Sequence, residues 1–144
     1  MTFIVVGVSA SSGSPGALRM AAREAQLRGV PLIAVQAWSA PRAPSASAGR
    51  PPAVNVDSNQ LFSNAERALR EQVTETLSEQ EVECRLVRGT PGKVLLNASK
   101  GADLLVVDAP RGSVAVSSPL LAHKLVYRAS CPVLIMPPSQ AQAG

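Results

Sequence analysis

A chain of 144 residues with 46% hydrophobic content can bury one core. At 3% aromatics that core must be built from Ala, Val, Leu and Ile, which suits helices packed closely on a parallel sheet and disfavours nucleic-acid binding through stacked rings. The formal charge of +4 favours anionic partners, but the 14 basic residues are spread from Arg19 to Arg128 without a cluster, so an ordinary solvated surface accounts for them. Cys84, Cys131 and the sole histidine, His123, are too few to make a metal site, and Phe3–Val6 is too short to span a bilayer; no metal, no membrane and a cytoplasmic location are the expectations.

Phe3 to Val8 is an unbroken apolar run ended by Ser9-Ala10-Ser11-Ser12-Gly13, and reads as a buried first strand over 3–8. Ser14-Pro15 opens a helix in which Ala17, Leu18, Ala21, Ala22, Ala25 and Leu27 form the apolar side, and Gly29 supplies the stop. The second strand is expected over 31–37. A strand–helix–strand order with short connections demands a right-handed crossover, so these two strands lie parallel in one sheet.

Residues 39–57 interleave four prolines with Ser, Ala, Gly and Arg and keep no period, the composition of a mobile surface loop or of a lid over the carboxyl edge of the sheet. From Ser58 to about Gln80 the chain is helical again, with Leu61, Ala65, Ala68, Leu69, Val73 and Leu77 as the buried stripe and Glu66–Arg70 as a favourable pair one turn apart. Val82, Cys84 and Leu86 alternate with Glu83 and Arg85 in a half-exposed third strand over 82–87. Gly89-Thr90-Pro91-Gly92 is a turn, and Val94–Ser99 a short helix.

The stretch from Ala102 to Pro137 organises the whole. Asp103–Val107 is a strand buried on both faces, within 103–108, and Asp108–Ser118 is a loop rich in Gly, Ser and Pro. Ser118-Pro119 is an N-cap and first-turn proline for a helix over 119–129, and Cys131–Pro137 carries the last strand, 132–136. The tail 138–144 is expected to be flexible. The reading is one α/β domain over 1–144, a three-layer sandwich of five parallel strands and four helices. A loop running from a strand's carboxyl end into a helix N-terminus is where such sheets bind anions.

These pieces carry a family resemblance. Ile4-Val5-Val6-Gly7-Val8, Ala17-Leu18-Arg19, Gln36-Ala37-Trp38, Arg88-Gly89-Thr90-Pro91, Gly101–Val107 and Ala129–Leu134 resemble, in order and spacing, the universal stress protein family. The resemblance implies the strand order 3-2-1-4-5 of the adenine nucleotide alpha hydrolase-like fold. Members of that family fall into two groups, those that bind ATP and those that do not, and in the binders an Asp stands in a V-D-G-S segment after the first strand and a G-x2-G-x9-G-[ST] loop follows the fourth. Here Ser9 and Ala10 stand where that Asp and Gly would be, Asp108 and Arg111 replace the first two glycines, and Pro119-Leu120 fall on the final Gly-Ser.

A glycine there lets the backbone approach a phosphate, which neither Arg111 nor a carboxylate at Asp108 reproduces. The candidate ligand-binding positions are therefore Ser9, Ala10, Ala37, Asp108, Arg111, Gly112, Ser117 and Ser118 in a degenerate site. No cofactor is expected to be held tightly; ATP or AMP with Mg²⁺ on the altered 108–118 loop, with or without weak hydrolysis, is the alternative. Arg111 reads either as a phosphate clamp or as a solvated side chain, and Ser118 as the helix cap. No G-x-S-x-G, HExxH or Walker lysine motif is present, so the expected protein is not an enzyme. The uncharged run Val133, Leu134, Ile135 and Met136 on an edge strand is the candidate homodimer interface, which family members commonly use, with an unidentified regulatory protein as a further partner. Cys84 and Cys131 read as inert buried thiols in preference to a redox pair.

Overall fold

Short apolar runs separated by amphipathic stretches fold here into alternating strands and helices. The computed structural model describes residues 2–40, 58–78, 80–109 and 118–137, with only the backbone of 118–120. The elements are β1 Ile4–Gly7, α1 Pro15–Arg28, β2 Leu32–Trp38, α2 Ser58–Thr76, β3 Glu83–Arg88, α3 Pro91–Ala98, β4 Leu104–Asp108, α4 Ser118–Arg128 and β5 Val133–Met136. The strands form one parallel sheet in the order β3-β2-β1-β4-β5. The fold class and strand order expected from the sequence are those observed. The segment 41–57, the core of the 108–118 loop and the tail 138–144 lie outside the described residues.

Alternation along the strands divides the core into two layers. Ile4, Val6, Leu32, Ala34, Leu104 and Val106 face α1 and α2, while Val5, Ile33, Val35, Leu105 and Val107 face α3 and α4. The small alanines of α1 let that helix lie close on the sheet: Ala17, Ala21, Ala22 and Ala25 are all buried beside Leu18. Gly29 then ends the helix in the left-handed conformation that glycine adopts without steric cost.

Several element details differ from the sequence reading. Leu27 is 73% exposed, because it sits roughly 200° around the helix from Ala25 and so cannot share its face. Ala68 of α2 is exposed, and Phe62 packs against the core with Ala65, Leu69, Val73 and Leu77. α2 ends at Thr76 rather than near Gln80, and β3 runs one residue later than expected. α3 begins at Pro91, so half of the expected four-residue turn is already helix; Pro91 occupies the first helical position, where its missing N–H costs nothing. Glu66 and Arg70 do pair, at 3.8 Å. Among the described residues no helix is long and apolar enough to cross a membrane.

Candidate functional site

In the observed strand order β1 and β4 are neighbours whose connections leave in opposite directions, so a crevice opens beyond their carboxyl ends. The register brings the sequence-predicted residues to this edge. Gly7 pairs with Val35 and the Val8 N–H donates to Val35 O, which sets Ser9 abreast of Ala37. Val6 pairs with Val106, which brings Asp108 level with the start of the same turn. Ser9, Ala37 and Asp108 are half-buried and Ala10 is exposed.

They do not share one face. Ala37 packs in the α3/α4 layer, whereas Asp108 follows Val107 and by alternation belongs to the α1/α2 face with Val106. Arg111, Gly112 and Ser117 lie outside the described residues, and Ser118 begins α4 with its backbone placed.

The turn after β1 is closed by its own hydroxyls. Ser14 is buried and holds φ 46° and ψ 51°, a left-handed conformation unusual for a residue with a side chain. Its hydroxyl makes no capping bond to α1 and turns back to accept the Ser9 N–H at 2.9 Å. Ser9 Oγ in turn accepts the N–H groups of Ser11 at 3.3 Å and Ser12 at 3.4 Å. Ser12 Oγ accepts the Ser14 N–H at 3.1 Å, and Ser9 O accepts the Gly13 N–H at 2.8 Å. Five backbone donors of this turn are thus satisfied inside it. Ser14→Ala removes the acceptor of a half-buried N–H, which costs about 1–2 kcal/mol. For a domain of this size we expect Tm to fall by roughly 3–6 °C in calorimetry, and an unchanged Tm would show that the Ser14 hydroxyl does not close the turn.

Sequence reasoning missed Ser11, Ser12 and Ser14 as parts of the site, although the density of serines after the first strand was the available signal. It also missed a second feature of the same edge. Trp38 and Phe62 meet edge to face at 5.3 Å, and the Arg88 guanidinium lies 4.8 Å from both ring centres. Pairing of Trp38 with Arg88 in the β2–β3 ladder builds this cluster, and no local spacing reveals it.

The remaining reactive groups are quiet. Cys84 and Cys131 are free and half-buried, and burial pushes both thiols above the ordinary cysteine range, which lowers their thiolate fraction and hence their reactivity. His123 is exposed on α4 beside Tyr127, with ring centres 5.1 Å apart. No group of three or more His, Cys, Asp or Glu that could hold a metal ion occurs among the described residues.

The chain matches the model of the universal stress protein family over residues 1–137. No curated protein matches it. Among solved structures, the universal stress protein UspA from Lactobacillus plantarum superposes with a TM-score of 0.66 over 94% of this chain and 97% of its own, at 21% identity. A universal stress protein in complex with cAMP gives 0.63 over 94% and 95%, at 22% identity. The universal stress protein from Archaeoglobus fulgidus in complex with dAMP gives 0.53 over 94% and 97%, at 25% identity. The likeness is one of fold.

Proposed function

The chain belongs to the universal stress protein family, and we propose that within it this member is a non-enzymatic, cytoplasmic regulatory or stress-response protein that acts as a homodimer and carries a degenerate nucleotide site. The observation that carries this reading is the self-closed turn after β1. A phosphate or a base edge needs unoccupied donors pointing at it, and the N–H groups of Ser9, Ser11, Ser12, Gly13 and Ser14 already have acceptors within the turn. To engage a ligand the turn would first have to break those bonds, at about 1 kcal/mol each. Asp108 at the end of β4 adds a carboxylate beside the same crevice, and like charge disfavours a phosphate there.

The second reading is an ATP- or AMP-binding protein that uses the altered 108–118 loop, with or without weak hydrolysis. What favours it is that solved relatives of this fold hold cAMP and dAMP, and that α4 starts directly after that loop, so its N-terminal N–H groups open toward the carboxyl edge.

Titration separates the two. Under the first reading, calorimetry with ATP and with AMP, each with and without Mg²⁺, gives no Kd below roughly 1 mM, a binding free energy of about 4 kcal/mol, and the denatured protein releases no co-purified nucleotide. A micromolar Kd, or stoichiometric nucleotide in the preparation, overturns it in favour of the second.

A further inference from the structure

We propose that Arg88, the last residue of β3, anchors a binding site for a phosphate group, separate from the β1–β4 crevice. The site stands at the other end of the same carboxyl edge, where β2 and β3 finish side by side and Trp38 pairs with Arg88.

Alternation along the strands sets its face. Cys84 and Leu86 pack in the α1/α2 layer, so Arg88, two residues further on, leaves the sheet on that side, where Phe62 of α2 and Trp38 also pack. Ala37, next to Trp38, packs in the opposite layer. The cluster and the crevice position at Ala37 are therefore on different faces of the sheet.

The two rings pin the guanidinium. Its carbon lies 4.8 Å from each ring centre, and the ring centres are 5.3 Å apart at an interplanar angle of 89°. These distances form a nearly equilateral triangle, so the cation occupies the notch between two perpendicular rings. A planar group lies flat on only one of two perpendicular rings, and the other then holds it from the side. Arg88 is nevertheless exposed, so the part of its fork that faces away from the rings is in water.

The rings hold the cation without neutralising it. Among the described residues the ion pairs engage Arg28, Arg70 and Arg85, no carboxylate pairs with Arg88, and no hydrogen-bond acceptor meets its N–H groups. A free arginine gives up rotamer freedom when it takes hold of an anion, whereas this one is already ordered by folding. Its planar fork of N–H donors matches two oxygens of a phosphate.

The chain beyond Arg88 strengthens the field. Three residues on, Pro91 begins α3, whose first turn carries no acidic residue and includes the exposed Lys93. At 3.8 Å between successive Cα atoms, the positive end of α3 is within about 11 Å of Arg88. A phosphate monoester carries about −1.5 to −2 charges at neutral pH and gains more from this field than a carboxylate with one.

Trp38 is the sole tryptophan of the chain, so its emission reads the cluster directly. The test is a titration of the full chain with inorganic phosphate at an ionic strength held constant with sodium chloride. The expected result is a saturable change in Trp38 emission with a half-point of about 1–10 mM, and a half-point at least fivefold higher for acetate. Arg88→Met is expected to abolish the saturable change. Phe62→Leu, which keeps the charge and removes one ring, is expected to raise the half-point at least threefold with an unchanged circular dichroism spectrum. Glycerol 3-phosphate, titrated in parallel, assigns the source of the group: a half-point below that of inorganic phosphate marks an ester, and one above it free phosphate. A change that chloride alone reproduces, or an Arg88→Met protein that responds as the unsubstituted chain does, overturns the site. Phosphate binding of unchanged affinity in Phe62→Leu overturns the role of the rings, and equal half-points for phosphate and acetate overturn the ligand class.

Discussion

Ile135→Pro is expected to leave the sheet of each subunit intact and to separate the proposed dimer. In β5 the carbonyls of Pro132 and Met136 accept the N–H groups of Leu105 and Ala109 at 2.9 and 2.7 Å, so the even-numbered residues turn their backbone groups toward β4. A parallel ladder uses every second residue of a strand. The N–H and C=O groups of Val133 and Ile135 therefore point outward, along the free edge. Proline at 135 deletes a donor that β4 never uses, and proline is tolerated on an edge strand when its missing N–H faces out.

Across a two-fold axis the deletion counts twice. Two lost ladder bonds at about 1 kcal/mol each, with the partner carbonyls left short of a donor, amount to about 2–3 kcal/mol, or roughly a hundredfold in Kd. Leu134→Lys and Ile135→Lys put a charge on side chains of the same strand that are half-buried against the two core layers, and are expected to release monomers or to aggregate the protein. A dimer of unchanged affinity in Ile135→Pro, measured by sedimentation, excludes the β5 pairing.

The fold was legible because its strands are compositional events. Ile4–Gly7 and Leu104–Val107 are buried apolar runs, and a run buried on both faces marks a parallel sheet whatever its neighbours do. Helix faces were read less well. Leu27 and Ala68 are apolar residues off the buried stripe, and residue type outweighed the helical period in placing them. The candidate site was legible only as a position. The strand order predicts a crevice at the β1–β4 carboxyl edge, and Ser9 and Asp108 stand at that edge where the family resemblance would place an Asp and a glycine. How the turn spends its donors depends on the left-handed twist at Ser14, which swings a hydroxyl back over five residues to Ser9. The Trp38–Phe62–Arg88 cluster joins three elements far apart in the chain and is invisible before the β2–β3 register is known.

Gly7→Val is expected to produce the largest loss of stability of any single change at the site edge. Gly7 is the last residue of β1, directly before Val8 and the serine turn, and it is buried. A Cβ there would stand 3.0 and 3.1 Å from the two methyl groups of Leu95 in α3 and 3.2 Å from Val107 Cγ1. Leu95 and Val107 are themselves buried, so neither has open space to move into. Valine adds two further methyl groups in this gap, and α3 has to lift or β1 has to bend. Overpacking of this kind costs about 1–3 kcal/mol, and valine belongs at the upper end because the contact is to branched side chains on both sides. The matching fall in Tm is roughly 6–12 °C at about 3–4 °C per kcal/mol. Truncating the obstructing residue supplies the control: in Gly7→Val combined with Leu95→Ala the new methyl groups fill the space that Leu95 leaves. The double variant should therefore be more stable than the sum of the two single losses by about 1–2 kcal/mol, a coupling expected only of residues in contact. Strict additivity of the two losses, or a Gly7→Val protein that melts with the unsubstituted chain, would mean that α3 does not close on the end of β1, and that the serine turn is not held against a rigid floor.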